Sequence, residues 1–337
     1  MKRILITGSQ GFIGSYLCTE FLNNSYEVIG VDDYSKYGKV IRAHDSHPNF
    51  TFCFGDIQQY KNFSALANFY KPQIIISLAA KIGGISYFHK YAYDLLASNE
   101  RITSNVFDVA IDLYKKSILE KIVVVSSSMV FENTKKYPTP ETSILDTPPP
   151  LTTYGFQKLA TEYFAKGAFE QYGLPFQIVR PFNCVGIGED KALQDCEVLS
   201  GNIKLMMSHV LPDLINKTLR GQNPLHILGD GTQIRCYTNG KDIARGIRAV
   251  TETTHINEDF NISTTEVTSV LELAKIVWDQ INASPFMIET EPPFQYDVQK
   301  RIPDTTKSEK LLNFKAQIPL IESVKEVINY FKTMGKY

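Results

Sequence analysis

Three glycines at three-residue spacing stand near the start of the chain, where a short apolar run passes into an amphipathic one. Residues 4–6 predict a strand and residues 12–23 predict a helix, with Gly8, Gly11 and Gly14 in the turn between them. Glycine adopts backbone angles that side chains forbid, and it lets a ligand approach the backbone closely. The first N–H groups of a helix are unpaired and attract anions. This GxxGxxG turn therefore predicts the pyrophosphate site of a dinucleotide-binding fold.

Short apolar runs recur through the first 180 residues, separated by helical patterns. Strands are predicted at 4–6, 27–31, 51–54, 74–77, 122–126 and 176–179, and helices at 12–23, 62–70, 91–116 and 154–172. Nearly all strand residues are apolar, as expected when helices cover both faces of a sheet. The alternation predicts an α/β fold with a doubly wound parallel (Rossmann) sheet, in which ligands bind beyond the carboxyl ends of the strands.

The alternation weakens after residue 180, which predicts a smaller C-terminal α/β lid that binds the substrate. Helices are expected at 202–219, 241–251 and 270–281, and two short strands should flank the turn at Gly229 and Gly231. We predict a dinucleotide-binding domain at 1–180, completed by roughly 237–262. The lid then consists of 181–236 and 263–337.

Composition excludes several classes of function. The net charge of the 337 residues is −1, so the chain has no overall field that would attract nucleic acid or an anionic membrane. The five cysteines are scattered, which is typical of reduced thiols in a cytoplasmic protein, and the six histidines have no metal-ligand spacing. Neither a signal peptide nor a membrane-spanning run is expected.

An aspartate, Asp32, directly follows the second predicted strand, about 20 residues after the glycines. At this position the carboxylate of Asp32 can accept hydrogen bonds from an adenosine ribose, and it would repel a 2′-phosphate. We therefore predict NAD rather than NADP, the alternative being that Asp32 is a loop or capping residue. Asp56, after the third strand, is a candidate for the adenine side of the same site.

Tyr154 and Lys158 lie four residues apart at the start of a predicted helix and so share one face. A nearby ammonium favours the phenolate and so lowers the pKa of the tyrosine, which would let the phenol act as an acid or base near neutral pH. Ser126, Ser127 and Ser128 follow the fifth strand, where ligands of such sheets bind, and a serine there can hydrogen-bond a substrate oxygen. The alternative is a turn in which serines satisfy their own backbone. The constellation predicts hydride and proton transfer on an alcohol or ketone.

These motifs resemble the extended short-chain dehydrogenase/reductase family, the NAD-dependent nucleotide-sugar epimerases and dehydratases that include UDP-glucose 4-epimerase-like members. Residues 7–14 match the TGxxGFIG turn of that family, and Tyr154 and Lys158 match its YxxxK. By register with Val130, the resemblance makes Ser127 the catalytic serine beside Tyr154 and Lys158. It implies that NAD is bound by Gly8, Gly11, Phe12, Ile13, Gly14, Asp32, Asp56, Ile57, Leu78, Ala79, Ala80, Asn99, Tyr154, Lys158 and Pro181.

The second half of the chain continues the resemblance. Residues 180–183 are similar to an RxxN segment, 229–235 to a GDGxQxR run, and 301–304 to a late RxPD element. Arginine suits phosphate because its fork of donors matches phosphate oxygens. The resemblance implies a nucleotide-diphosphate sugar as substrate. The residues implied to contact this substrate are Lys81, Ser127, Asn183, His209, Arg235, Arg301 and Asp304.

The residues after Ser127 distinguish reactions within the family. Dehydratases and decarboxylases of the family carry an acid there and 3,5-epimerases a cysteine, whereas this chain has Ser128 and Met129. The resemblance therefore favours C4 epimerisation through a transient 4-ketosugar. Residues 79–85 and the SHVLP run containing His209 are similar to GDP-fucose synthases, in which this histidine is an acid/base. A 4-ketosugar reductase or 4-dehydrogenase stays open as an alternative, and so does a non-catalytic NAD-binding protein. The family also implies a homodimer through helices 91–116 and 154–172.

Overall fold

Seven parallel strands form the central sheet of the computed structural model. The structure describes residues 1–82, 91–189, 198–200, 203–205, 209–282, 284–293 and 298–335, with backbone alone at 198–200 and 203–205. The strands are β1 (Arg3–Thr7), β2 (Glu27–Asp32), β3 (Phe50–Phe54), β4 (Ile74–Ser77), β5 (Lys121–Val125), β6 (Phe176–Pro181) and β13 (Glu258–Ile262). Their order is β13-β6-β5-β4-β1-β2-β3, and every pairing is parallel. The predicted doubly wound parallel sheet is confirmed.

Helices cover both faces of this sheet. One face carries α2 (Tyr60–Tyr70), α3 (Ala92–Lys115) and α4 (Thr153–Tyr172), and the other carries α1 (Phe12–Asn23) and α6 (Gly240–Glu252). Successive strand residues point to opposite faces. Leu5 thus packs with α2, α3 and α4, whereas Ile4 and Ile6 pack with α1 and α6. This two-sided burial explains why the strands are nearly continuous runs of Ile and Val.

A third apolar core holds the smaller lid together. It joins α5 (Val210–Leu219), α7 (Val270–Ile281) and α9 (Leu320–Met334), with Trp278 almost fully buried among them. The short strands of this half are β7 (Cys184–Val185), β8 (Val198–Ser200), β9 (Ile203–Leu205), β10 (Leu225–Leu228), β11 (Ile234–Arg235), β12 (Thr238–Asn239), β14 (Thr268–Ser269) and β15 (Ile288–Glu291). A further α-helix, α8, spans Thr306–Leu312, and two short 3-10 helices span Ser128–Phe131 and Glu141–Leu145.

Predictions were less accurate in the lid than in the sheet. The helix expected at 202–219 begins only at Val210, and residues 203–205 form β9, which pairs with β8. The strands flanking the Gly229 turn do not pair with each other, because β10 pairs with β15 and β11 pairs with β14. Helices α8 and α9 were not predicted. Their apolar stripes are short, and only the surfaces on which they pack show that these segments form helices.

The chain returns to the sheet after the first part of the lid. Strand β12 pairs with β7, α6 packs against α1, and β13 extends the sheet beside β6. Strand β12, helix α6 and strand β13 all lie within the segment 237–262, which we assigned to the dinucleotide-binding domain. Phe314, in the segment 263–337 assigned to the lid, packs with the core on the α1 and α6 side of the sheet. No helix within the described ranges is both long and apolar enough to cross a membrane.

A buried ion-pair network links β6, α4 and β13. Arg180 Nε and Nη2 donate to the two carboxylate oxygens of Glu162 at 2.8 and 2.7 Å, and Nη1 lies 2.7 Å from Asp259 Oδ2. The side chains of Arg180 and Glu162 are fully buried. Ser126 Oγ donates to Glu162 Oε1 at 2.6 Å, which ties the network to the end of β5. Breaking such a pair leaves a charge buried without its counterion.

We predict that Arg180→Met lowers the free energy of unfolding by about 3–5 kcal/mol, because Glu162 keeps its charge inside the core. Urea unfolding followed by circular dichroism measures this. The double variant with Glu162→Gln should recover part of the loss, since the stranded charge is removed. Lys275→Met, which breaks the exposed pair with Asp279, is the control and should cost at most about 1 kcal/mol. A loss for Arg180→Met no larger than that of the control would contradict the prediction.

Candidate active site

A cavity of about 480 Å³ opens at the carboxyl ends of the parallel strands, between the sheet and the lid. Its volume is typical of ligand sites. Twenty of the predicted site residues line it: Gly8, Gly11, Phe12, Ile13, Gly14, Asp32, Asp56, Ile57, Leu78, Ala79, Ala80, Lys81, Ser127, Tyr154, Lys158, Pro181, Asn183, His209, Arg235 and Arg301. Residues separated by up to 293 positions in sequence are therefore brought to one place.

The glycine turn forms a cradle that side chains would fill. Gly8 has a φ of +76°, and a Cβ at Gly14 would overlap the carbonyl oxygen of Gly8. Gly11 precedes α1 and places no capping side chain over its first turn. The N–H groups of that turn can therefore meet an anion. These features fit the pyrophosphate of NAD.

Asp32 occupies the end of β2 beside this cradle. Its Oδ2 accepts from Gln10 N at 3.0 Å, and its Oδ1 accepts from Tyr34 N at 2.8 Å. Burial raises the pKa of Asp32, although the two backbone hydrogen bonds oppose the shift. These two backbone bonds fix the orientation of the carboxylate, which also lines the cavity. Each oxygen retains acceptor capacity for a ribose hydroxyl.

Asn99 and Asp304 are the predicted site residues that do not line the cavity. Asn99 instead makes two hydrogen bonds with the backbone of Lys81. Its Oδ1 accepts from Lys81 N at 2.7 Å, and its Nδ2 donates to the Lys81 carbonyl at 2.9 Å. The carboxylate of Asp304 accepts from Thr306 N at 2.9 Å and lies outside the cavity lining. Asn99 therefore supports the wall of the cavity, and Asp304 shapes the start of α8.

Thr7 is a supporting residue that the motif analysis did not single out. Its buried hydroxyl accepts from Leu78 N and Ala79 N, each at 3.0 Å, and so holds the segment after β4 against the end of β1. The loop after β2, at 34–38, and helix α5 also line the cavity. The loop carries no motif, because its position depends on how the chain folds back over the sheet, whereas α5 begins within the SHVLP run.

The catalytic candidates converge at the ends of β5 and α4. Thr152 caps α4 by accepting from Gly155 N at 3.1 Å, which fixes the turn that carries Tyr154. Tyr154 is hydrogen-bonded to the Ser127 side chain. Lys158 is buried and donates to the Val125 carbonyl at 2.9 Å. Burial lowers the pKa of Lys158 to about 8.

The expectation that Lys158 lowers the pKa of Tyr154 needs correction in this structure. Burial raises the pKa of Tyr154, while the hydrogen bond with Ser127 and the charge of Arg301 lower it. The ammonium of Lys158 donates to the Val125 carbonyl of β5 and is not among the groups that shift the pKa of Tyr154. Arg301, from the far end of the chain, is the cation that acts on the tyrosine.

Polar groups from the lid face these residues. Arg301 Nη1 donates to Asn183 Oδ1 at 3.5 Å, and the buried Asn183 Nδ2 has no hydrogen-bond partner among the residues that the structure describes. Arg235 extends from β11 and donates to the Ile234 carbonyl at 2.9 Å. Two guanidinium groups and an amide donor form a site suited to a phosphate.

His209 reaches the cavity from the residue before α5. It does not cap that helix, and its Nδ1 is hydrogen-bonded to a carboxylate oxygen of Glu189. The His209 side chain is 44% exposed, whereas that of Glu189 is only 3% exposed. A buried carboxylate on one ring nitrogen orients the imidazole and leaves the other nitrogen for the cavity. The described ranges contain no group of three His, Cys, Asp or Glu that could hold a metal ion.

A parallel sheet with a glycine cradle, an acid after β2 and a serine–tyrosine–lysine group defines an enzyme that uses a nicotinamide dinucleotide. The chain belongs to the NAD dependent epimerase/dehydratase family, whose sequence model matches residues 4–263. The cofactor of this family is NAD.

Similar proteins cover the whole chain. A protein of Methanocaldococcus jannaschii named "Putative UDP-glucose 4-epimerase" is 29% identical over 99% of both chains. The UDP-glucose 4-epimerase of Thermotoga maritima, solved with UDP-glucose, is 27% identical with a TM-score of 0.83, covering 99% of this chain and 100% of that one. The UDP-glucuronic acid 4-epimerase of Bacillus cereus, solved with UDP-glucuronic acid and NAD, is 25% identical with a TM-score of 0.80, covering 98% and 99%.

Gly14→Ala is predicted to weaken NAD binding by at least about tenfold, or roughly 1.4 kcal/mol, because the methyl group pushes α1 away from Gly8. Isothermal titration calorimetry measures the affinity. Gly167→Ala is the control, since a Cβ at this position meets no atom within 4 Å. Thermal unfolding of both variants checks that each is folded. An unchanged affinity in Gly14→Ala would show that the cradle does not bind the cofactor.

Arg301→Met is predicted to move the acidic limb of the kcat–pH profile to higher pH, by on the order of one unit. The direction follows because the Arg301 charge lowers the pKa of Tyr154, so its loss makes the phenolate form at higher pH. The profile is measured with saturating nucleotide sugar. Lys300→Met removes a neighbouring exposed cation and should leave the limb in place. Equal profiles for the two variants would exclude this charge effect.

Proposed function

We propose that the protein is a nucleotide-sugar epimerase that inverts C4 through a transient 4-ketosugar. The observation that carries the proposal is the Ser127–Tyr154–Lys158 group in a cavity where Met129 occupies the position next to the serines. Within the described lining, residues 126–129 offer neither a carboxylate nor a thiol. Elimination, decarboxylation and 3,5-epimerisation need such a group, whereas C4 redox chemistry needs only the alcohol, a proton carrier and a hydride acceptor.

The binding roles follow from position in the cavity. The glycine cradle and Asp32 would hold the pyrophosphate and the adenosine ribose, with Asp56 on the adenine side. Asn183, Arg235 and Arg301 would hold the sugar nucleotide's diphosphate. The relatives support this assignment, since the solved 4-epimerases named above bind UDP-glucose or UDP-glucuronic acid.

The proposed chemistry uses few groups of the chain. The Tyr154 phenolate takes the proton from the C4 hydroxyl, while Ser127 holds the same oxygen by a hydrogen bond. NAD, if held by the glycine cradle and Asp32, would supply the acceptor for the C4 hydride and the donor that returns it to the opposite face of the ketosugar. Tyr154 then gives its proton back to the C4 oxygen, so the net reaction is an isomerisation. Lys158 keeps the β5 end and the tyrosine helix in register through its bond to Val125.

We infer that two copies of the chain assemble through α3 and α4. The outer face of this helix pair exposes aromatic side chains, among them Phe156, Tyr163 and Phe164, and a shallow groove runs between the helices. Exposed apolar surface of this kind is typical of protein interfaces. The proposal agrees with the homodimer that the family resemblance implies.

A net 4-ketosugar reductase is the second candidate. The pairing of His209 with the buried Glu189 favours it, because a positioned imidazole supplies an additional proton carrier on the lid side. The epimerase should retain its NAD during purification. A reductase must exchange its cofactor in every turnover, so the absorbance of released cofactor distinguishes the two.

Incubation of the protein with UDP-, GDP- and dTDP-sugars, followed by proton NMR, should show inversion at C4 for one of them. Tyr154→Phe is predicted to lower this turnover by about 10²–10⁴-fold, because the variant cannot carry the proton. Tyr60→Phe, at the start of α2, is the control and should turn over normally. If no sugar inverts but a 4-ketosugar consumes NADH, reduction is the reaction. Full activity of Tyr154→Phe would refute both candidates.

A further inference from the structure

A buried arginine outside the catalytic group joins three segments that border the cavity. Arg42 lies in the connection between β2 and β3. Its Nε and Nη2 donate to the Gln10 carbonyl at 3.1 and 2.9 Å, and its Nη1 donates to the Gly188 carbonyl at 3.2 Å. Its backbone N donates to Asp45 Oδ2 at 2.8 Å, which fixes the loop that carries it.

One end of this bridge is the cofactor cradle. Gln10 is part of the glycine turn, and its backbone N donates to Asp32 Oδ2 at 3.0 Å. Its side-chain Nε2 donates to Asp45 Oδ1 at 2.9 Å. The peptide units around Gln10 are therefore held from two sides, by Asp32 on the nitrogen and by Arg42 on the carbonyl. A ligand that orders this turn also orders Arg42.

The other end of the bridge is the lid. Gly188 follows β7, and the next residue, Glu189, is hydrogen-bonded to His209 immediately before α5. Helix α5 lines the cavity with Leu211 and Leu214. Gly188 has a φ of +87°, and a Cβ there would lie 2.8 Å from Arg42 Nη1. The close approach of the guanidinium to this carbonyl therefore depends on glycine.

We propose that Arg42 is a positioning residue that couples NAD binding at the glycine turn to nucleotide-diphosphate binding under the lid. The planar guanidinium holds at once a carbonyl of the glycine turn and a carbonyl of the segment whose next residue, Glu189, positions His209, so displacement of either carbonyl strains the other bond. The two ligands then favour the same arrangement of Gln10 and Gly188, which is positive coupling between their sites. The inference rests on the proposed nucleotide-sugar site but does not depend on C4 chemistry.

Calorimetry tests the coupling directly. NAD is titrated into cofactor-stripped protein, alone and with a saturating nucleoside diphosphate, taken as whichever of UDP, GDP and dTDP the wild type binds most tightly. We expect the diphosphate to tighten NAD binding by about fivefold or more in the wild type, and by a factor close to one in Arg42→Met. If Arg42 served folding alone, its loss would weaken the binding of both ligands but leave unchanged the ratio of the NAD affinities with and without the diphosphate. This ratio is therefore the quantity that tests the coupling.

Three further variants sharpen the test. Arg42→Lys should lose the coupling, because a single ammonium on a shorter side chain does not reproduce the planar fork that spans both carbonyls. Gly188→Ala should also lose it, because the added methyl group would meet Arg42 Nη1 and displace the guanidinium from the Gly188 carbonyl. Arg220→Met removes an exposed arginine after α5 and should keep the wild-type ratio.

The failure of this inference is distinguishable from failure of the proposed function. A wild-type ratio of one, or a wild-type ratio retained in Arg42→Met, would overturn the coupling and leave the nucleotide-sugar site intact. A wild type that binds NAD but none of the diphosphates would overturn the proposed function and the coupling with it.

Discussion

The parallel alignment of the central strands is the constraint on which the rest of the structure depends. In parallel strands all carboxyl ends meet at one edge, so the residues that follow β1, β2, β4, β5 and β6 lie together although they are far apart in sequence. The glycine cradle, Asp32, the serines and Asn183 all follow such ends. Thr7 strengthens this convergence because its hydroxyl joins the end of β1 to the backbone after β4.

The helix that carries Tyr154 is held to this edge by charge as well as by apolar packing. Glu162, two turns beyond Tyr154 on α4, is bonded to Arg180 of β6 and to Ser126 after β5. The same helix directs Lys158 to the Val125 carbonyl. A fully buried ion pair contributes little net stability compared with apolar packing, but it requires one arrangement of its partners. Here that arrangement sets the register between the tyrosine helix and the serines.

The chemistry of the site depends on opposing effects on a single phenol. Burial makes the Tyr154 phenolate harder to form, while Ser127 and Arg301 make it easier. Arg301 also contacts Asn183, so the cation that tunes the tyrosine belongs to the group that would hold the diphosphate. In the proposed site, substrate binding and acid–base function would be linked through one side chain from the lid.

Local sequence alone determined the strands β1 to β6, the main helices, the glycine turn and the YxxxK pair, because each depends on periodicity or spacing within a few residues; β13 was not predicted. Together with the family resemblance, local sequence predicted twenty of the residues that line the cavity, since strand ends of a parallel sheet must meet. Only the tertiary structure placed Asn99 and Asp304 outside that lining, directed Lys158 to a carbonyl and brought the charge of Arg301 to Tyr154. It also joined Arg42 to Gly188 across 146 positions. No local pattern encodes these contacts, because side-chain partners depend on how distant loops and the lid fold over the sheet.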